Sequence, residues 1–236
     1  MGSLFHDLLV QPLFNLLVIL YKYVTFEDLG LAIIALTIIV RFVLYPIFYR
    51  GLKSQAVMQK LQPEIARVQA QHKGNKEKQA LALMEVYKTN KVNPFASMLY
   101  IFAQLPILIA IYRIFFNGLT TESFSDLYSF ISAPAAINHE FLGFLDVTKP
   151  SMVIVAIAVV AQYFQGRSAM AKTAATGAAA GTAKFMVYLG PLLTLLILPS
   201  LSAGIGLYWI TSAVFSIFQQ QIINKQLYGT EPSGKS

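Results

Sequence analysis

From Leu31 to Tyr49 the chain is apolar except for one stripe, and that stripe carries Arg41 near the middle of a run long enough to cross a bilayer. A guanidinium keeps its proton in any protein setting. Insertion scales charge roughly 2.5–3.5 kcal/mol for an arginine at a span centre. Such a side chain faces water or a partner inside the protein, and it marks a candidate functional position. Thr37, Arg41, Tyr45 and Tyr49 follow at one-turn intervals, so a continuous helix places them on one face.

The rest of the chain agrees with a membrane reading. Hydrophobic residues make up 56% and charged residues 12%, against about 25% charged in soluble domains. Long apolar runs point to an all-α integral membrane protein, and the short alternating strands of a transmembrane barrel are missing. Without cysteine, disulfide and thiolate chemistry are excluded. The opening MGSLFHDLLVQPLF has no basic n-region or small-residue cleavage site, so no cleavable signal peptide is expected. His6 breaks the myristoylation pattern.

Residues 1–28 are expected to form an amphipathic helix in the outer interface. Asp7, Gln11, Asn15 and Lys22 cluster within about 80° on a helical wheel. Pro12 favours a first turn, and a helix from Pro12 to Val24 would measure about 20 Å against a hydrocarbon core of about 30 Å. A sixth span beginning near Leu4 is the alternative. Five spans are expected at 29–50, 94–116, 151–166, 185–199 and 205–224. Residues 51–93 read as a basic helical hairpin turning at Lys73-Gly74-Asn75, with Pro63 interrupting its first helix. Met58, Leu61, Ile65 and Val68 keep an apolar rhythm that Ala80, Met84 and Tyr87 answer. Asn93-Pro94 is a helix-start signal. Residues 117–150 are mildly acidic, 167–184 an Ala/Gly-rich flexible loop, and 225–236 a tail. The bias of Lys and Arg puts 51–93, 167–184 and the tail in the cytoplasm, with the N-terminus out and the C-terminus in.

Three spans carry polar stripes: Thr37/Arg41/Tyr45, Ser97/Tyr100/Gln104 and Tyr208/Ser212/Gln219, with Gln162 and Gln165 on a further span. Polar groups facing lipid are costly, so the stripes are expected to face one another around a wet concavity, with water reaching Arg41 from the cytoplasm. The plainer reading is that Thr and Tyr pack and Gln joins helices. Arg113 is placed to snorkel at a span end. Lys53, Lys60, Arg67, Lys73, Lys76 and Lys78 on the hairpin are candidates for client or ribosome contact, or for a solvated topology signal. Catalysis finds no support: the three histidines are scattered, no HExxH, GxSxG or phosphate-binding glycine loop occurs, and neither metal nor cofactor is expected.

Several segments together carry a resemblance. Thr37-Ile-Ile-Val-Arg41 with Leu44-Tyr45-Pro46 resembles the first core span of the YidC/Oxa/Alb family of membrane protein insertases. Leu61-Gln-Pro-Glu-Ile65, Lys91-Val-Asn-Pro94, Gln104-Leu-Pro106, Gly206-Leu-Tyr-Trp209 and Gln219-Gln-Gln221 match in order and spacing. The resemblance implies a five-span core with a hydrophilic groove whose arginine is Arg41 and whose other positions fall on Thr37, Gln104 and Tyr208 or Trp209. It implies a non-enzymatic insertase and chaperone of a cell's inner (cytoplasmic) membrane, acting without nucleotide. The implied partners are nascent membrane proteins and the bilayer, with ribosome, signal-recognition receptor and Sec translocon as further candidates and no specific DNA. Ala213 stands where many relatives have Asn. The alternatives are a small-solute or anion transporter using Arg41 as a binding charge, for which no repeat between halves is found, and a structural scaffold, which leaves the centred arginine unexplained.

Overall fold

The computed structural model describes residues 2–93, 98–116, 121–170 and 178–228. These are mostly helical: α1 (Gly2–Phe5), α2 (Gln11–Tyr23), α3 (Leu29–Val43), α4 (Tyr45–Lys60), α5 (Gln62–Gln71), α6 (Lys76–Thr89), α7 (Met98–Phe116), α8 (Met152–Ala169), α9 (Ala178–Ile197) and α10 (Ala203–Tyr228). Pro94, Ser97 and the side chain of Tyr100 lie outside the described residues, as do the tail beyond Tyr228 and 171–177 of the expected flexible loop.

The first helix does not start at Pro12. Helix begins at Gly2 and reaches α2 through a π-helical turn, His6–Val10, where the Gln11 amide bonds to His6 O. Proline has no N–H and its ring crowds the carbonyl four residues back, and the wider turn absorbs that conflict. Three side chains of the helix's polar face are bonded within the protein. Gln11 Nε2 and Asn15 Nδ2 donate to Asp126 O at 3.1 and 2.9 Å, and Asn15 Oδ1 accepts from the Tyr128 amide at 2.7 Å. Lys22 Nζ donates to Ser132 O at 2.8 Å. The polar stripe of α2 thus holds the 121–150 region, while Phe14, Leu17, Val18, Leu20 and Tyr21 enter the core beside Leu29, Ile33 and Leu36 of α3.

The expected span 29–50 is broken. Helix α3 stops at Val43, and α4 leaves at 73°. Pro46 sits in the first turn of α4, where its missing N–H costs nothing, whereas within a continuous helix it would clash with the Phe42 carbonyl. Of the described helices, Met152–Ala169 is long and apolar enough to cross a membrane, the bent pair α3–α4 passes together, and Phe102–Phe115 and Val187–Ser200 are shorter apolar stretches.

Helix α4 packs against α10: Leu52 and Ala56 bury Ile223, and Tyr49 Oη donates to Gln226 Oε1. Pro63 restarts the chain as α5, which pairs with α6 around His72–Asn75, with Gln79 Nε2 donating to Gln69 O at 3.0 Å. Leu61, Ile65 and Val86 are buried at this pairing. Ala80 and Met84, expected to face inward, are exposed; the inward side of α6 is Gln79, Ala82, Leu83 and Val86. Residues 178–184, expected as loop, are helical, in keeping with alanine's high helix propensity.

Residues 121–150 form a 3₁₀ turn, Thr121–Asp126, and a small antiparallel hairpin, β1 (Glu140–Phe141) with β2 (Leu145–Asp146), pairing Glu140 with Asp146 and Phe141 with Leu145. The Leu142 amide donates to Asp28 Oδ2 at 2.7 Å, and Asp28 Oδ1 accepts from the Leu31 amide, capping α3. Past the hairpin, Val147 O and Lys149 O accept from the Gly204 and Ala203 amides at the start of α10. The starts of α3 and α10 therefore lie on the same side of the bundle, under one strap.

Candidate functional site

The bend at Leu44 decides where Arg41 sits. It lies in the last turn of α3, where unpaired carbonyls favour a cation, rather than mid-helix. The side chain is 2% exposed. Its Nη2 donates to Gln104 Oε1 of α7 at 3.1 Å, and Gln104 Nε2 donates to the Tyr208 hydroxyl of α10 at 2.5 Å. The guanidinium lies 4.3 Å from the centroid of Phe48, which the bend swings beneath it. One polar chain thus joins α3, α7 and α10, with α4 as its floor. The arrangement places the guanidinium inside the bundle, bonded to a neutral amide and facing an aromatic ring.

The other candidate positions divide. Thr37 is buried but spends its hydroxyl on Ile33 O of its own helix at 2.7 Å. Tyr45 falls past the bend and stacks on Tyr49 with centroids 5.8 Å apart. Gln162 packs on α9, where a side chain at Gly190 would meet its Oε1. Trp209 packs between the main core and the cluster of Val155, Ala158, Leu198 and Ile205. Ser212 and Gln219 follow Tyr208 along one side of α10 and are buried. Among the described residues, Ser212 Oγ and both polar atoms of Gln219 have no hydrogen-bond partner. Lys53, Arg67, Lys73, Lys76 and Lys78 are exposed on α4, α5, α6 and the turn, as is Lys60.

Sequence reasoning missed two contributors. Phe48 lies two turns past Arg41, about 10 Å along a continuous helix, and only the bend at Leu44 brings it into contact, so its spacing carried no signal. Gln220 is buried and donates to Asn224 Oδ1 at 3.0 Å, and Asn224 Nδ2 donates to Ser168 O at 2.9 Å, fastening α10 to the end of α8. Among the described residues no cluster of His, Cys, Asp or Glu could hold a metal.

Comparison with known proteins fits this architecture. A family model described as "60Kd inner membrane protein" matches residues 19–230. A "Membrane protein insertase YidC" of Helicobacter pylori (strain ATCC 700392 / 26695) is 33% identical over 217 residues, covering 92% of this chain and 36% of the relative. The chain therefore spans about a third of that protein's length. One of the same name from Fusobacterium nucleatum subsp. nucleatum is 29% identical, covering 95% of this chain and 98% of the relative. "Membrane protein insertase YidC 2" of Bacillus anthracis is 29% identical, covering 94% and 81%. With a family model extending over residues 19–230, the chain belongs to the 60Kd inner membrane protein family, the YidC/Oxa/Alb group.

Proposed function

We propose that the chain is a membrane protein insertase and chaperone of an inner membrane, and that the Arg41–Gln104–Tyr208 chain is the closed form of its client groove. The observation that carries this reading is a buried cation held by a neutral amide. A client carboxylate would add a full opposite charge and could bond the guanidinium through two oxygens, which the Gln104 amide cannot do, so it can displace Gln104. Ser212 and Gln219 supply further polar atoms along α10, each costing about 1–3 kcal/mol while buried and unmatched. Water or a client's backbone would satisfy them, which favours opening along this line. The client's apolar segment stays against exposed lipid-facing residues such as Phe42, Phe102 and Phe218.

Lowering the barrier for a short hydrophilic tail requires only that polar groups replace part of its hydration. No bond is made or broken and no nucleotide is consumed. An acidic tail moving outward also gains about 2.3 kcal/mol per charge per 100 mV of membrane potential. Five spans, with the N-terminus out and the C-terminus in, remain the topology this mechanism uses. Exposed lysines on the α5–α6 hairpin, beside an apolar hollow of about 660 Å³ lined by Leu83, Met84 and Tyr87, would receive clients or meet the ribosome.

The test is insertion of a single-span client with an acidic N-terminal tail into proteoliposomes, with small-anion flux measured alongside. Arg41→Ala should lower insertion about tenfold or more, Arg41→Lys should retain most of it, and flux should stay at background. Full insertion by Arg41→Ala would defeat the groove-charge mechanism; Arg41-dependent anion flux would favour the transporter reading.

A further inference from the structure

Two tight turns carry the wrong residues for a surface in water. In the turn joining α2 to α3, Phe26 has φ 53° and is 95% exposed. In the β-hairpin turn, Leu142 has φ 53° and is 55% exposed. Left-handed backbone positions favour Gly, Asn or Asp, and a large apolar residue there is an outlier. Both positions thus combine a backbone cost with a solvation cost. The turns are physically joined: Asp28, two residues after Phe26, accepts the Leu142 amide. Tyr23 and Val24 on one turn and Phe144 on the other are exposed as well.

The level of this patch in the bundle identifies its partner. Asp28 caps the start of α3, and the segment following the hairpin is bonded to the start of α10. Where helices of a membrane bundle begin, hydrocarbon gives way to headgroups, the zone in which amphipathic aromatic and cationic residues concentrate. Lys22, with its Nζ 5.4 Å from the Tyr23 centroid, and exposed Glu27 supply the charged groups that a headgroup layer accepts.

We infer that the paired turns 23–27 and 142–144 form an anchor that inserts Phe26, Leu142 and Phe144 into the lipid interface at the Asp28 end of α3, fixing the depth of the strap over α3 and α10. This rests on the membrane residence proposed above.

The cysteine-free sequence permits single spin labels at 26, 142 and 144 in liposome-reconstituted protein, with Val160 midway along α8 as the lipid reference and Lys76 as the water reference. Collision rates with oxygen and with a nickel chelate report depth. Labels at 26, 142 and 144 should favour oxygen, at a depth shallower than 160. The double variant Phe26→Asn/Leu142→Asn, whose side chains suit the left-handed backbone, should move a label at 144 toward water without lowering thermal stability. Water-like values at 26, 142 and 144 with a lipid-like 160 overturn the anchor alone; water-like values at all four overturn membrane residence and the anchor with it.

Discussion

Gln104 spans the gap between Arg41 and Tyr208, accepting from one at 3.1 Å and donating to the other at 2.5 Å. An amide is suited to that place because it bridges a cation and a phenol without neutralising the charge. Replacing it by Glu should turn a displaceable contact into an ion pair. An ion pair that holds the guanidinium about 1.4 kcal/mol more tightly than the amide does is a tenfold factor, so Gln104→Glu should slow insertion of acidic-tailed clients by roughly tenfold or more. Gln104→Ala should slow it much less. The measurement is the initial rate of protease-protected client in proteoliposomes, and equal rates for Gln104→Glu and wild type would contradict the displacement step.

Asn15 is a second buried amide with a different task. It is 2% exposed and bonds to Gln11 O, Asp126 O and the Tyr128 amide. Asn15→Leu leaves those groups to find new partners, at about 1–3 kcal/mol for each that stays buried. Thermal unfolding in detergent should shift down by several degrees, and protease should cut within 121–138 faster than in wild type. If Asn15 only faced headgroups, neither quantity would move.

How legible this was varies with the physics behind each feature. Arg41 was legible because a charge in an apolar run has few stable environments. Its surroundings were not, since the break after Val43 depends on Pro46 prevailing over an otherwise helical pattern, and that break alone brings Phe48 under the guanidinium. A helical wheel located the polar face of α2 but could not say what covers it; backbone groups at 126–132 do. The hairpin strands, two residues each, are too short for any alternation to register. On α6 the apolar residues outnumber one face, so the pattern did not distinguish Val86 from Met84, which is 54% exposed.

Gly206 allows α10 to approach α8. A Cβ there would overlap the side chain of Ile154. Gly206→Val should therefore strain the α8–α10 contact by about 1–3 kcal/mol, lowering the melting temperature in detergent. Ile154→Ala in the same chain should recover part of the loss by making room, which a purely helical-propensity effect at position 206 would not allow.

The strap over α3 and α10 should respond to acid through Asp146. Its carboxylate accepts from the Thr148 hydroxyl at 2.6 Å and lies 2.9 Å from Lys149 Nζ, which together hold its pKa at about 2 instead of 3.8. A folded-state pKa below the unfolded value stabilises the fold at pH above 3.8, and that contribution disappears as pH falls through about 2. A spin label at Glu140 should stay immobile from neutral pH to about 3.8 and gain mobility between there and about 2. In Asp146→Asn that acid step should vanish, with mobility already raised at neutral pH.

The last prediction concerns how much of residues 51–93 can be removed. The sequence suggested one unit, but its parts differ in what they cover. Leu52 and Ala56 of α4 bury Ile223 of α10, and Tyr49 is bonded to Gln226. Helices α5 and α6 are held chiefly to each other, with Gln79 on Gln69 O and Ile65 and Val86 buried. Deleting 61–90 with a short Gly/Ser connection should leave the melting temperature near wild type while lowering client insertion. Deleting 54–90 removes Ala56 and uncovers part of Ile223; full burial of such a side chain is worth about 1.5–3 kcal/mol, so this variant should also melt earlier. Unchanged insertion by the 61–90 deletion would reduce α5 and α6 to a topology signal, whereas equal melting of the two deletions would remove the distinction between α4 and the rest of the hairpin.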